Sequence, residues 1–196
     1  MPPFLGNELL RGEKVYLAPL QRADCAALAH WSEDIEFQRM LRRGEVFPDT
    51  AESFERWLFS EQGHEEFYRA TVRTTADNTM IGMCEINRIF RQARHCMFWI
   101  GIGDPAYRGH GYGSDAIRIL LRYAFLEMNL NRVGLEVMSY NERAIAAYEK
   151  IGFQHEGRQR ETVIRDGVYY DTLLMGVLRR EWEARYWRKA GTDTAD

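Results

Sequence analysis

A loop of alternating glycines, which joins a strand-like segment to an amphipathic helix, constrains the fold more than any other feature. Residues 95–102 have the apolar composition of a buried strand, and residues 114–128 carry an apolar stripe at helical spacing. Between them, Gly109, Gly111 and Gly113 stand at every second position, which exceeds what a tight turn needs. Glycines there let backbone N–H groups turn inward at the positive end of a helix. The sequence therefore predicts a phosphate or pyrophosphate site in this loop.

The same loop does not match the common nucleotide-binding motifs. A P-loop needs GxxxxGK[ST], and no lysine follows Gly113. A dinucleotide fold needs GxGxxG within a repeated βαβ unit, which this pattern lacks. Arg108 precedes the glycines, and we expect it to place a positive charge at the rim of the site. The loop thus predicts an anionic cofactor of another class.

Turn signals divide the rest of the chain into short elements of both kinds. Asp24 and Asn141 are predicted helix N-caps, and Asp115, Arg118 and Arg122 are expected on the polar face of the helix at 114–128. The predicted order is a strand at 14–20, helices near 25–29 and 50–58, strands at 67–74, 80–87 and 95–102, a helix at 114–128, a strand at 132–138, a helix ending at Gly152, and a hairpin turning at Asp166-Gly167 between residues 161–165 and 168–178. This order predicts a mixed α/β fold.

Composition bounds the function classes. A chain of 196 residues favours one domain over 1–196, with a core over about 14–182 and a frayed tail at 190–196. Its 26 basic and 29 acidic residues give a net charge of −3, which supplies no field for nucleic acid or an anionic membrane. Three cysteines without CxxC spacing, and no leader or membrane-span pattern, predict a cytoplasmic protein. No His, Cys and acid cluster indicates a metal.

Two motifs carry a resemblance to a known family. They are Arg108-x-x-Gly111-x-Gly113 and Asn141-x-x-Ala144-x-x-x-Tyr148-x-x-x-Gly152-Phe153. The first is similar to the acyl-CoA pyrophosphate signature of the GNAT family of N-acetyltransferases, and the second resembles the other half of that cofactor site. Downstream, residues 156–182 look like the branch that includes ribosomal-protein N-terminal acetyltransferases and spermidine acetyltransferases. The resemblance covers about 14–182.

The resemblance implies a central sheet of about seven strands with a V-shaped splay between the fourth and fifth. It also implies acetyl-CoA as cosubstrate and a primary amine as acceptor, which attacks the thioester directly without an acyl-enzyme. The implied cofactor-binding residues lie on the strand before the glycines, in the loop itself and on the helix that Asn141 caps. They are Ile100, Gly101, Ile102, Arg108, Gly109, His110, Gly111, Tyr112, Gly113, Ser114, Asn141, Arg143 and Tyr148.

Catalysis requires a proton donor for the departing thiolate and a route for one proton away from the amine. Tyr148 matches the family's donor, although its helix face also fits core packing. Glu156 matches a glutamate that looks catalytic in some members of the ribosomal-protein branch. Glu85 stands in an otherwise apolar strand, where a carboxylate must find a partner or open onto a cavity. Glu136 on the fifth strand points opposite to the apolar face of that strand and is the remaining carboxylate candidate. A water relay without a dedicated base is the other reading.

No motif in the sequence identifies the acceptor. The aromatic-rich region 31–57 is expected to cover the acceptor side, where it suits a protein N-terminus or a small amine, although these rings also fit a helix core. Ala18 stands where the branch often has an arginine. Polyamine acetylation and a non-catalytic acyl-CoA sensor are the alternative functions, and the sequence leaves open whether the chain forms a homodimer or larger homo-oligomer.

Overall fold

The computed structural model describes residues 5–59 and 67–186. The helices are α1 (Cys25–Ser32), α2 (Ile35–Leu41), α3 (Ala51–Phe59), α4 (Tyr112–Arg122), α5 (Glu142–Ile151) and α6 (Arg179–Tyr186). The strands are β1 (Val15–Ala18), β2 (Tyr68–Thr74), β3 (Met80–Phe90), β4 (His95–Ile102), β5 (Arg132–Met138), β6 (Gln154–Arg165) and β7 (Val168–Leu178). The tail predicted at 190–196 lies outside the described residues.

The seven strands form one mixed sheet in the order β1-β2-β3-β4-β5-β7-β6. Neighbouring strands are antiparallel except β4 and β5, which run parallel. Those two pair at three positions, His95 with Arg132, Cys96 with Val133 and Met97 with Gly134. Beyond Met97 they separate, which confirms the predicted fold class and the splay between the fourth and fifth strands.

Side chains on β4 alternate between two packed layers. Cys96 and Phe98 join the main core with residues of α4 and α5. Gly101 and Gly103 face the opposite layer, where a Cβ on Gly103 would overlap the Trp31 ring of α1. The missing side chains therefore let α1 and α2 lie close against this end of the strand. Helix α2 was not predicted from the sequence; its N-cap is Asp34, whose side chain accepts a hydrogen bond from the Phe37 N–H at 3.0 Å.

The predicted long helix is divided into two parts. α4 spans Tyr112–Arg122 and continues as a π-helical turn over Tyr123–Glu127. Of its expected polar face, Arg118 is exposed, whereas Arg122 is partly buried and donates to carbonyls in residues 8–11. The guanidinium of Arg122 therefore fastens the N-terminal segment to α4.

Asp115 was wrongly expected on the solvent face. It is 6% exposed, and its Oδ2 accepts hydrogen bonds from the backbone N–H of Lys14 at 2.8 Å and of Val15 at 3.1 Å. These donors begin β1 and would otherwise be left unpaired at the edge of the core. Asp115 thereby joins the first turn of α4 to the start of the sheet.

We expect Asp115→Ala to lower the free energy of unfolding by about 2–3 kcal/mol, because two backbone donors lose a charged acceptor. A chain of this size should then lose about 5–10 °C in Tm, measured by thermal unfolding. Glu127→Ala removes an exposed carboxylate beyond the end of α4 and should leave Tm nearly unchanged. Equal Tm values for the two variants would contradict the anchoring role of Asp115.

Within residues 5–59 and 67–186, no helix combines the length and apolarity needed to cross a membrane.

The three cysteines are buried. Cys25, Cys84 and Cys96 are free, and burial raises the pKa of the Cys84 and Cys96 thiols to about 12. Thiols that stay protonated at neutral pH are poor nucleophiles, so the described chain gives no support to a cysteine acyl-enzyme.

Candidate active site

The glycine loop has the backbone geometry that its sequence predicts. Gly109 and Gly111 have φ of +81° and +86°, a region that side chains disfavour, and Gly111 is the N-cap of α4. Among the described residues, none accepts a hydrogen bond from the backbone N–H groups of residues 109–114. Unpaired donors at the positive end of a helix suit an anion, and the loop of residues 109–114 is called the cradle below.

Lys14 supplies a cation at this cradle that was not predicted from the sequence. Its Nζ donates to the His110 carbonyl at 2.9 Å and lies 5.3 Å from the centre of the Tyr112 ring. The side chain reaches the loop because Asp115 fixes the Lys14 backbone beside α4. No sequence motif links a residue before the first strand to a loop almost a hundred residues later, so only the fold reveals this contact.

Arg108 is turned inward, contrary to the expected charge at the rim. Its guanidinium donates to the Ile102 carbonyl at 2.9 Å, to the Gly103 carbonyl and to Asp34 Oδ2 at 2.8 Å. It also lies 4.3 Å from the centre of the Phe37 ring. The Phe37 N–H and the Arg108 guanidinium hold the pKa of Asp34 below its usual value. In this arrangement Arg108 joins the end of β4 to α2, and its charge is paired.

The diverging half of β4 presents a backbone edge. Ile100, Gly101 and Ile102 pair with β3 on one side. On the side facing β5, the described ladder ends at Met97, so the polar backbone groups of that edge have no strand partner. An unpaired edge beside a gap can receive another extended chain of hydrogen-bonding groups. Gly113 and Ser114 follow at the start of α4, where Gly113 lies against Ile102.

The segment after β5 is fastened to α2 across the splay. Asn141 Oδ1 accepts from the Ala144 N–H at 3.2 Å, which confirms the predicted N-cap, and its Nδ2 donates to the Met40 carbonyl at 3.3 Å. The Tyr140 hydroxyl donates to the Arg39 carbonyl at 2.6 Å. Arg143 is exposed in the first turn of α5. These bonds connect the two sides of the open end of the V.

Tyr148 lies where β4 leaves β5. Its ring packs edge-on against Phe98, the first residue beyond the paired segment, with centroids 6.1 Å apart, and against Phe153 at 5.7 Å. The side chain is 9% exposed, and burial raises its pKa to about 12. No described residue hydrogen-bonds its hydroxyl. A tyrosine in this state keeps its proton at neutral pH and has that proton free to donate.

Glu85 and Glu156, two of the predicted glutamates, each have cationic partners. Glu85 is 7% exposed, pairs with Arg69 at 2.5 Å, and accepts from Asn87 Nδ2 at 2.9 Å and Trp99 Nε1 at 3.2 Å. The prediction that the Glu85 carboxylate has a partner or faces a cavity is confirmed, because these three side chains bind it. Glu156 lies at a bulge in β6 and receives two hydrogen bonds from Arg132.

A cavity of about 580 Å³ lies on the face of the sheet opposite α4. Aromatic and apolar side chains from helices α1, α2 and α3 and strands β3, β4 and β5 line it: Leu28, Trp31, Phe37, Leu41, Phe54, Trp57, Met83, Met97, Phe98, Trp99 and Met138. Phe98 and Met138 come from the two sides of the splay, so the cavity reaches the gap between β4 and β5. Phe98 also contacts Tyr148 on the other face, which connects this cavity to the predicted proton donor.

Of the polar lining of the cavity, Glu136 was singled out in the sequence as a candidate base, and the other polar groups were not predicted. Glu136 on β5 lines it and pairs with Arg88 at 3.0 Å and with Arg43. Arg42 and Asp49 also contribute to the wall. Alternation along β5 places Glu136 opposite the apolar face in sequence, but its two partners come from segments that have no recognisable motif. Within the described ranges, no group of His, Cys, Asp and Glu side chains is arranged to hold a metal ion.

Comparison with known proteins decides the family. The family model described as "Acetyltransferase (GNAT) domain" matches residues 14–154. The chain belongs to the GNAT acetyltransferase family. It is therefore an acetyltransferase by family, as the resemblance implied.

Individual relatives show the range of acceptors around this chain. The uncharacterized N-acetyltransferase YokL of the SPbeta prophage in Bacillus subtilis (strain 168) is 31% identical over 140 residues, which cover 71% of this chain and 77% of that protein. The putative ribosomal N-acetyltransferase YdaF of the same organism is 33% identical over 55% of this chain and 58% of its own length. A crystal structure of spermidine N-acetyltransferase from Vibrio cholerae, in complex with CoA and spermine, superimposes with a TM-score of 0.77 at 25% identity, covering 86% of this chain and 97% of that one.

Proposed function

We propose that this protein transfers an acetyl group from acetyl-CoA to a primary amine while both substrates are bound. The supporting observation is the splay beyond Met97, because it opens between two different environments. On one face lie the unpaired amides of residues 109–114 and the buried Tyr148. On the other lies the apolar cavity that Phe98 and Met138 border. Two substrates that meet through this gap would place a thioester next to an amine.

The face with the glycine loop suits the cosubstrate. The backbone N–H groups of residues 109–114 would hold the pyrophosphate, and Lys14 would add positive charge, since the charge of Arg108 is already paired with Asp34. The unpaired edge of Ile100, Gly101 and Ile102 would bond the amide groups of the pantetheine arm. Asn141 and Arg143, at the start of α5, complete the predicted cofactor site.

Acetyl-CoA supplies an acetyl thioester. In the proposed reaction the amine nitrogen forms a bond to the acetyl carbon, the carbon–sulfur bond breaks, and the amine loses one proton. Tyr148 would give its hydroxyl proton to the departing sulfur, because burial keeps that hydroxyl protonated at neutral pH and no described residue competes for it. The Tyr148 phenolate would then recover a proton from solvent through the gap.

The route for the amine proton has four candidates, three glutamates and a water relay. Glu85 and Glu156 would each have to exchange a paired arginine, Arg69 or Arg132, for the amine, and neither lines the cavity next to the splay. Glu136 does line the cavity, but two arginines hold its carboxylate. These contacts favour the water relay, in which water in the cavity carries the proton away without a dedicated base.

Two acceptor classes follow from the relatives. A protein N-terminus fits the similarity to the putative ribosomal N-acetyltransferase, and a polyamine fits the similarity to the spermidine N-acetyltransferase. The lining of the cavity in this chain contains three arginines, Arg42, Arg43 and Arg88, against the carboxylates of Asp49 and Glu136. A polycation would meet net positive charge there, so we favour an N-terminal or small-molecule amine.

Gly111→Asp is expected to weaken CoA binding by at least tenfold, because it places a negative charge among the amides that would hold a pyrophosphate. Binding is measured by isothermal titration, and stabilisation by CoA in thermal unfolding gives a second readout. Gly167→Asp is the matched control: Gly167 has φ of +81° and free space around it, as Gly111 has φ of +86°, but it lies in the β6–β7 turn. If both variants bind CoA as the wild type does, the cofactor assignment is wrong.

Lys14→Gln should raise the KM for acetyl-CoA by about three- to tenfold with kcat little changed, since it removes a cation that binds the cosubstrate in ground state and transition state alike. The effect should shrink as the salt concentration rises, because the contact is exposed. An unchanged KM at low salt would show that Lys14 only braces the loop through the His110 carbonyl.

Tyr148→Phe is expected to lower kcat by about 10- to 1000-fold while the CoA Kd stays within a few-fold, because one hydroxyl is lost and the packed ring is kept. Tyr123→Phe removes another partly buried hydroxyl, on the π-helical turn away from the splay, and should keep full activity. A wild-type kcat in Tyr148→Phe would show that Tyr148 only packs in the core. It would also favour the alternative of a non-catalytic acyl-CoA sensor.

Glu156→Gln should keep kcat/KM within a few-fold across pH 6–9, since the water route needs no carboxylate at that position. Glu85→Gln should lower Tm, because Arg69 would remain buried without its partner, and its folded fraction should retain comparable turnover. A loss of about 100-fold or more near neutral pH in either folded variant would instead identify that glutamate as the general base.

A further inference from the structure

We infer that the acceptor amine also carries a carboxylate, which Arg43 and Arg88 bind inside the cavity. This inference rests on the proposed function and specifies the acceptor class. Both arginines line the cavity that reaches the splay, and both already hold one carboxylate, that of Glu136. A guanidinium carries five N–H donors, so each arginine has donors left for a second anion.

The backbone at Arg88 aims its side chain into the cavity. Along β3, Met83 and Asn87 contribute to the cavity wall, whereas Cys84 and Ile86 pack in the opposite core. Simple alternation would send Arg88 to the core side with Ile86. Instead the pairing of β3 with β4 shifts register between Asn87 and Phe90, and Arg88 adopts a φ of +46°.

A β-bulge with a non-glycine residue in the left-handed region costs free energy, and such bulges commonly redirect side chains beside binding sites. The consequence here is that an arginine faces the cavity where a regular strand would have turned it away. Its side chain is 58% exposed even with Glu136 bound, so the guanidinium remains accessible from the cavity mouth. A residue placed in this way is available to a ligand.

The charge on Glu136 does not cancel the charge around it. One carboxylate lies between Arg43 and Arg88, so this trio keeps a net positive charge. Arg42 lies in the same wall, opposed by Asp49. Low-dielectric aromatic walls strengthen the field of these charges over that in open solvent. A ligand carboxylate would therefore be attracted, and a second ammonium group would be repelled.

The rest of the cavity specifies an apolar body between the amine and the carboxylate. Trp31, Phe37, Phe54, Trp57 and Trp99 contribute aromatic residues to the wall. A volume of about 580 Å³ accommodates an aromatic amino compound or the first residues of a peptide. The shared chemistry is a primary amine, an apolar spacer and a carboxylate, from either a small molecule or an acidic protein N-terminus.

The test compares amine acceptors of different charge, with the formation of free CoA from acetyl-CoA as the readout. The small-molecule arm uses 4-(aminomethyl)benzoate against 4-(aminomethyl)benzamide, because carboxylate and carboxamide have nearly the same shape. The peptide arm uses N-terminal tripeptide amides of the form Ser-X-Phe with X as Glu, Gln or Lys. Spermidine is included as a polycation. We expect kcat/KM to be at least tenfold higher for the carboxylate than for its amide partner in one arm, and that arm identifies the source of the acceptor.

Arg88→Gln should reduce this preference to about twofold or less, and Arg43→Gln should reduce it in part. The matched control is Arg91→Gln, which removes the same charge three residues along the chain, outside the cavity lining, and should keep the full preference. The double variant Arg43→Gln/Arg88→Gln leaves Glu136 without its arginines and should shift relative activity toward spermidine. Thermal unfolding and CoA affinity confirm that each variant is folded.

Two failures are distinguishable. If the amines are acetylated but carboxylate, carboxamide and lysine acceptors are used equally, or if spermidine is the best acceptor of the wild type, the inferred carboxylate site is wrong and the proposed transferase remains. If the protein binds CoA but no tested amine, spermidine included, forms free CoA from acetyl-CoA faster than buffer does, the transferase assignment fails together with the site. An unchanged preference for carboxylate acceptors in Arg88→Gln also contradicts the inference, because another group must then bind the carboxylate.

Discussion

The early end of the β4–β5 pairing is the constraint on which the rest of the site depends. Parallel strands that paired along their whole length would leave no gap and no free edge at Ile100, Gly101 and Ile102. At the first position beyond the pairing, Phe98 packs its ring with Tyr148 and Phe153, which fills the widening space on one face. Because buried backbone groups require partners, an edge left open inside a fold is a strong reason to expect a bound ligand there.

Positive charge is distributed differently on the two sides of this gap. The charge of Arg108, next to the glycine loop, is neutralised by Asp34. Binding of an anion at the loop would therefore depend on backbone amides and Lys14. On the other face, Arg43 and Arg88 hold a single carboxylate, Glu136, and keep spare donors. The overall net charge of −3 therefore says little about either proposed substrate, since local groups would bind both.

The sequence predicted those features that depend on local pattern. The strand at 132–138, the cap at Asn141 and the Asp166-Gly167 hairpin are found as expected, because alternation, capping and turn chemistry act over a few residues. The glycine loop was also predictable, since Gly109 and Gly111 adopt conformations that favour glycine.

What the sequence did not predict depends on contacts between distant segments. Asp115 has the position of a surface residue on its own helix, and only β1 converts it into a buried acceptor. Arg108 follows a family motif, yet α2, which was not predicted, captures its guanidinium through Asp34. Arg88 is turned by a bulge that no periodicity indicates. The aromatic lining from region 31–57 was expected from the sequence, but the charges of the cavity were not, because they come from three segments without motifs.

Hydrogen–deuterium exchange with and without CoA tests the central claim most directly, since it reads the backbone groups that the account assigns to the cosubstrate. CoA should slow exchange in peptides that cover residues 98–102 and 109–114, and it should leave the β6–β7 turn at Asp166-Gly167 unchanged. Saturating CoA that protects neither the open edge of β4 nor the glycine loop, or that protects only the cavity on the opposite face, would contradict the account.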